Sequence, residues 1–151
     1  MLRSKGIFLG AMATLVFVAL ALRFFSPVRY VELEVKDVRI KAEIVATSEA
    51  KRKGLSGRSG LAEGEGMLFV FSQAGAQGFW MGGMNFPIDI IWMKDGQVID
   101  IASNVPPPGL GQDEKTLPIY YPRLPSDRVL EVQAGLANKI GLKLGDRVDG
   151  L

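Results

Sequence analysis

Two acidic residues stand where acids are expensive. Asp89 sits in Pro87-Ile88-Asp89-Ile90-Ile91 and Glu131 in Val129-Leu130-Glu131-Val132, each within an otherwise apolar run. A carboxylate in such surroundings needs a partner or a task. Facing across a cleft, with environments that push their pKa values apart, the two would divide general-acid and general-base work as in a hydrolase. Arg58 and Arg128 are available as counter-ions for the plainer alternative, in which each acid is structural and held by arginine or backbone. The chain has no cysteine and no histidine, which removes thiol nucleophiles, histidine bases, disulfides and the common zinc sites. Chemistry is left to carboxylates, hydroxyls, lysine, arginine and methionine sulfur.

Aromatic residues form the second constellation: Phe79, Trp80, Phe86, Trp92, Tyr120 and Tyr121. Exposed beside a proline-rich stretch, Trp80, Tyr120 and Tyr121 would make a flat platform for a sugar ring or an extended peptide. Alternation along a strand sends Phe79 and Trp80 to opposite sides, so at least one of them belongs to the core. Met81-Gly82-Gly83-Met84 offers two thioethers of the kind that select Cu(I), with Met67 or Met93 as a third donor; the plain reading is flexible core filling. The glycine-rich stretch Gly54 to Gly66 could turn backbone N–H groups toward an anion, although its spacing matches no phosphate loop. Lys51-Arg52-Lys53 with Arg58 could meet anionic lipid or an envelope polyanion, or simply be a solvated helix face.

The elements that must position these residues are mostly strands. Val31, Leu33 and Val35, then Val38, Ile40, Ala42 and Ile44, alternate with polar residues around Lys36-Asp37, predicting a half-buried hairpin. Thr47 or Ser48 caps a short helix that ends at Gly54 and carries the basic cluster. A loop to Gly66, a strand over 67–71, a polar turn over 72–77 and a strand over 78–81 follow. Ile88 to Lys94 and Gln97 to Ser103 flank Asp95-Gly96, a hairpin signature. Prolines 106, 107, 108, 118, 122 and 125 make residues 104–126 a long irregular segment, usually functional or mobile in a compact domain. Arg128 to Val132 reads as strand, 134–140 as a short helix and 147–149 as a last strand. The fold class expected is α+β and β-rich, a small barrel or two-sheet roll carrying two short helices.

Before Tyr30 the chain has a different character. Arg3 and Lys5 precede an uncharged apolar run from Gly6 to Leu22, which Arg23 closes. Such a segment enters a bilayer with its basic end inside. Ala19-Leu20-Ala21 suits cleavage by a signal peptidase, whereas Phe24 and Phe25 suit an uncleaved anchor; a buried soluble helix is the remaining alternative. Residues 1–29 are thus expected to be a leader or anchor with its linker, and 30–151 one globular domain outside the cytoplasm. With Arg3, Lys5, Arg23 and Arg29 set aside, 18 − 4 = 14 basic residues face 16 acidic ones, a net charge of −2. A mildly acidic domain lacks the broad positive surface that phosphate backbones require, so nucleic acid is not an expected partner.

Glu49 to Arg58 (EAKRKGLSGR), Gly66 to Phe71 (GMLFVF), Phe79 to Met81 with Pro87 to Ile91 (FWM, PIDII), Asn104 to Pro107 (NVPP), and Val129 to Gly135 (VLEVQAG) with Gly145-Asp146 follow one another along the chain. Together, in this order, they resemble the DUF192 family of small, often exported domains. After the Trp-Met pair the family commonly has lysine and a small polar residue, where this chain has Gly82-Gly83. A cation that might have paired with Asp89 or a ligand is therefore missing. The resemblance implies a fold rather than a chemistry, the family having no established biochemical role.

The expectation drawn from all this is a ligand-binding domain at the cell envelope, exported or tethered through residues 6–22. It would take a glycan, a peptide or a small molecule between the Trp80–Asp89 segment and the proline-rich loop. The candidate contacts are Trp80, Asp89, Tyr120, Tyr121, Arg58 and Glu131. No catalytic residue, metal or cofactor is assigned, and nothing in the sequence points to an oligomer. The alternatives are a hydrolase using Asp89 and Glu131, and a methionine-based Cu(I) carrier.

Overall fold

A computed structural model describes residues 28–151. The apolar run from Gly6 to Leu22 lies outside the described residues, and among those described no helix is long and apolar enough to cross a membrane.

Strands β1 (Tyr30–Val35) and β2 (Val38–Val45) form the expected antiparallel hairpin, closing at Val35 opposite Val38. Their alternation buries Leu33, Val35, Ile40 and Ala42 on one face. Helix α1 (Ser48–Lys53) follows, its first turn capped by Thr47, whose hydroxyl accepts the Ala50 N–H at 3.2 Å. The helix and the glycine-rich loop are the crossover that lets β3 (Glu65–Gly75) run parallel to β2. Strand β4 (Phe79–Trp80) precedes the hairpin of β5 (Ile88–Lys94) and β6 (Gln97–Val105), whose turn residues Asp95 and Gly96 both have positive φ, as a tight primed turn requires. Strands β7 (Ile119–Tyr120) and β8 (Ser126–Gln133), helix α2 (Leu136–Lys139) and β9 (Val148–Asp149) complete the domain.

Seven strands form one sheet in the order β6-β5-β8-β3-β2-β1-β9, while β4 and β7 pair separately as a two-stranded ribbon. The large sheet curls into a half-barrel. Its two edges approach where Gln97 bridges Arg147, the Val148 N–H donates to Gly96 O at 2.9 Å, and the Gly145 N–H donates to Val98 O at 2.8 Å. The domain is thus a β-rich α+β unit with two short helices. One core cluster gathers Leu33, Val35, Val98 and Val148 from strands at both edges, which only the concave face of a curled sheet can do. The opposite face carries a second cluster, including Phe69, Ile90, Trp92 and Val129, covered by the loop after α1 and by the β4–β7 ribbon.

Two elements differ from the sequence expectation. Strand β3 continues through Gly75, where a polar turn was expected over 72–77, because β8 still runs beside it and pairs Ser126 with Gly75 after a register shift. Within the proline-rich segment, Ile119 and Tyr120 pair with Trp80 and Phe79. Pro118 and Pro122 flank that short strand rather than interrupt it. The segment is also clasped to β6. The Asp100 carboxylate accepts the backbone N–H of Arg123 at 2.8 Å and its Nε and Nη2 at 3.0 and 2.8 Å. The hydrogen-bonded Arg123 guanidinium holds the Asp100 carboxyl below its ordinary pKa.

Candidate functional site

The two apolar-strand acids have opposite situations. Ile90 lies opposite Glu131 and Asp89 opposite Val132 on the paired β5 and β8, so Asp89 and Glu131 point to opposite faces of the sheet. They cannot act on one substrate from there.

Asp89 is fully buried and fully occupied. Its Oδ1 accepts the N–H groups of Asn104 at 2.7 Å and Gly135 at 3.0 Å, and its Oδ2 accepts the Ala137 N–H at 2.8 Å. A carboxylate reaching from β5 therefore caps α2, whose preceding Gly135 has no side chain to do so and takes a φ of +85° that suits glycine. Three of the segments that carry the family resemblance, PIDII, NVPP and VLEVQAG, meet at this one side chain. The arrangement is structural, with no cation among its contacts.

Glu131 is buried on the other face, 6% exposed, and its Oε2 has no hydrogen-bond partner among the described residues. Burial pushes its carboxyl up to about 8, with the Arg58 charge acting weakly in the opposite sense, so the group is mostly a neutral acid at pH 7. Arg58 itself is committed to Glu43, with Nη2 2.6 Å from Oε2. Glu43, Met67 and Glu131 form a row across β2, β3 and β8, which is how Arg58 comes near both acids. Arg128 is elsewhere, interacting with Asp127 and lining a surface depression with Gly96 and Arg147.

Glu131 forms part of the lining of a pocket of about 270 Å³. One wall is the end of α1 with Leu55 and Ser56; the other is Phe69, Phe71, Phe79 and Trp80. Loop-to-loop hydrogen bonds hold the two walls in register: Ser56 Oγ donates to Gly82 O, the Gly57 N–H donates to Gly83 O at 2.9 Å, and Asn85 Nδ2 donates to Arg58 O at 2.9 Å. A Cβ on Gly83 would stand 2.6 Å from Ser56 Oγ, so that contact depends on glycine. A Cβ on Gly82 would stand 2.5 Å from Cη2 of Trp80 and 2.7 Å from both Cζ2 and Cζ3, the spacing expected above a ring face rather than at its edge. Trp80 therefore lies flat against Gly82 and stays 46% exposed. At the rim, Lys51 Nζ is held 4.3 Å from the centre of the Phe71 ring.

The remaining sequence candidates divide between this site and the core. Tyr121 is 58% exposed and its ring crosses Gly78, a pocket residue, whereas Tyr120 turns inward against the second core cluster. Phe79 and Trp92 are buried, Phe79 making edge contacts with both Phe69 and Trp92. Trp92 donates from Nε1 to Gln77 O at 2.8 Å. Met67, Met81 and Met84 share the second cluster, but Met93 belongs to the first, on the other side of the sheet. Among the described residues no group of three or more Asp and Glu side chains is placed to hold a metal ion. Sequence reasoning missed Glu43, Phe71 and the place of the basic cluster at the pocket. The pairing of β2, β3 and β8 creates the first, and the crossover through α1 the last.

Residues 31–150 match the DUF192 family, described as an uncharacterised ACR. A protein of unknown function from Novosphingobium aromaticivorans is similar in structure, with 30% identity and a TM-score of 0.70 over 81% of this chain and 84% of that one. A putative transcription regulator from Sinorhizobium meliloti shares the fold at 24% identity and a TM-score of 0.73, over 83% of this chain and 97% of that one. No curated protein matches the chain.

Proposed function

The chain belongs to the DUF192 family, and from that premise we propose that its domain binds a small polar ligand in the pocket between α1 and Trp80. The observation that carries this reading is Glu131. A buried carboxyl oxygen without a partner costs stability unless something completes its hydrogen bonding, and the residue that carries this one is part of the lining of an aromatic-walled opening. The two-carboxylate hydrolase would require a second free acid on the face of Glu131; Asp89 is on the other face and Glu43 is held by Arg58. Of the six contacts expected from the sequence, Trp80 and Glu131 line this pocket, whereas Asp89 is on the other face, Tyr120 packs on the core and Arg58 is paired with Glu43. The second wall of the pocket is α1, with the proline-rich segment contributing Tyr121 only at the edge. The basic start and apolar run of residues 3–22 support placing the domain outside the cytoplasmic membrane, tethered or released after cleavage.

The test is amide-resolved NMR of the full-length chain against envelope saccharides, short peptides, amino acids and Cu(I). Saturable shifts at Gly54, Gly78 and Gly82, lost in Trp80→Ala, are the expected result. Shifts confined to other surfaces, or none with any probe, would remove the pocket as the binding site.

A further inference from the structure

We propose that the pocket selects an acidic sugar, a pyranose-sized polyol carrying a carboxylate or phosphate. Three contacts of different chemistry would read it: Trp80 stacked on the ring, Glu131 hydrogen-bonded to a hydroxyl, and the Lys51–Lys53 rim paired with the anion. This rests on the ligand-binding reading above and adds the class of ligand.

The charged residues that line the pocket are Lys51, Arg52, Lys53 and Glu131. With Glu131 mostly protonated at neutral pH, the lining is net cationic, although the domain as a whole carries −2. The cations stand at the mouth on α1, none of whose residues is buried. Lys51 is positioned over Phe71, so its ammonium is already held at the rim. None of the three makes a salt bridge among the described residues. An ammonium-bearing ligand would meet like charge there and a neutral acid inside, whereas an anion would meet three unpaired cations.

The polyol part follows from the interior. A protonated carboxyl both donates and accepts, which matches a sugar hydroxyl, itself a donor and acceptor. Trp80, flat on Gly82 with its outer face open, presents the apolar surface on which a sugar ring stacks. Gly82, on which a Cβ would meet the indole, makes room for that ring.

Titration of the full-length chain in a sugar-free polyoxyethylene detergent tests the proposal. The probes are D-glucuronate, D-glucose 6-phosphate, D-glucose and D-glucosamine, with acetate and inorganic phosphate as ring-free controls. Glucuronate or glucose 6-phosphate should bind about tenfold more tightly than glucose, the gain from one charge-assisted contact. The preferred member distinguishes carboxylate from phosphate. The advantage should shrink with added salt and disappear in Lys51→Gln/Lys53→Gln. Equal affinity for glucose and the sugar acids, preference for glucosamine, or binding of acetate or phosphate as tight as that of the sugar acids would each overturn it. If no sugar binds but a peptide or amino acid shifts the pocket amides, the acidic-sugar assignment fails and the ligand pocket stands. If no probe shifts those amides, both fail.

Discussion

At the residue scale, Asp89 and Glu131 show how similar sequence contexts give opposite chemistry. Asp89 is satisfied by three backbone N–H groups, so its removal leaves buried donors without acceptors. Asp89→Ala should lower unfolding free energy by about 3–5 kcal/mol, more than a surface change, as measured by urea denaturation. Asp89→Asn should recover only part of that, because its amide would face one of the same N–H groups; full recovery would show that the caps do not need the second oxygen. Glu131 binds its proton more tightly in the folded chain than in the unfolded one. Its contribution is therefore fully present below pH 4.5 and is lost as pH rises toward about 8. The slope from one proton is at most about 1.4 kcal/mol per pH unit. Glu131→Gln should flatten the stability profile across that window, and an unchanged profile would mean that Glu131 titrates as an ordinary surface acid. Both acids were legible in the sequence as buried. Which one is occupied was not, because that depends on the face each turns to and on residues 15 to 48 positions away.

At the element scale, the β4–β7 ribbon and the α1 loop build the pocket by leaning on glycines. Gly82→Lys should displace the Trp80 ring while leaving the sheet intact, since Gly82 lies outside the large sheet. The expected result is a changed Trp80 environment in fluorescence, read in a Trp92→Phe background, with the unfolding midpoint of that background retained. A large loss of stability would instead make Gly82 a core requirement. The proline-rich segment depends on the Asp100–Arg123 clasp. Asp100→Asn keeps one acceptor and loses the charge, so cleavage by protease within 106–122 should accelerate severalfold while the sheet remains protected. Asp100 has a lowered pKa in the folded chain, so its contribution is present above pH 3.8 and is lost as pH falls through the folded value; wild-type cleavage should accelerate there too. Strands, hairpin turn and helix cap were readable from alternation, Asp95-Gly96 and Thr47. The pairing of Ile119-Tyr120 with Phe79-Trp80 was not, because two residues carry no periodicity and the partner lies about forty positions away.

At the scale of the whole molecule, a curled sheet with two packed faces follows the apolar sequence of residues 6–22, whose role in export belongs to the proposal. A fusion of residues 1–30 to a reporter active only outside the cytoplasm should be active, since a basic start and an apolar core are what the export machinery reads. A stably expressed but inactive fusion would place the domain in the cytoplasm and remove the envelope from the proposal. The sequence by itself determined the β-rich class, the exclusion of cysteine and histidine chemistry, and the positions of the costly acids. These follow from composition and from patterns within a few residues, where side-chain alternation and backbone propensity act locally. Only the tertiary structure decided that Asp89 and Glu131 back onto opposite faces, that α1 rather than the proline-rich segment walls the pocket, and that Trp80 lies flat and open on Gly82. The first two depend on strand order and register in β6-β5-β8-β3-β2-β1-β9 and on one loop meeting another, and the third on a side-chain orientation that residue types two positions apart do not fix. A one-residue slip in β8 would turn Glu131 onto the face of the sheet that Asp89 occupies without altering any local pattern.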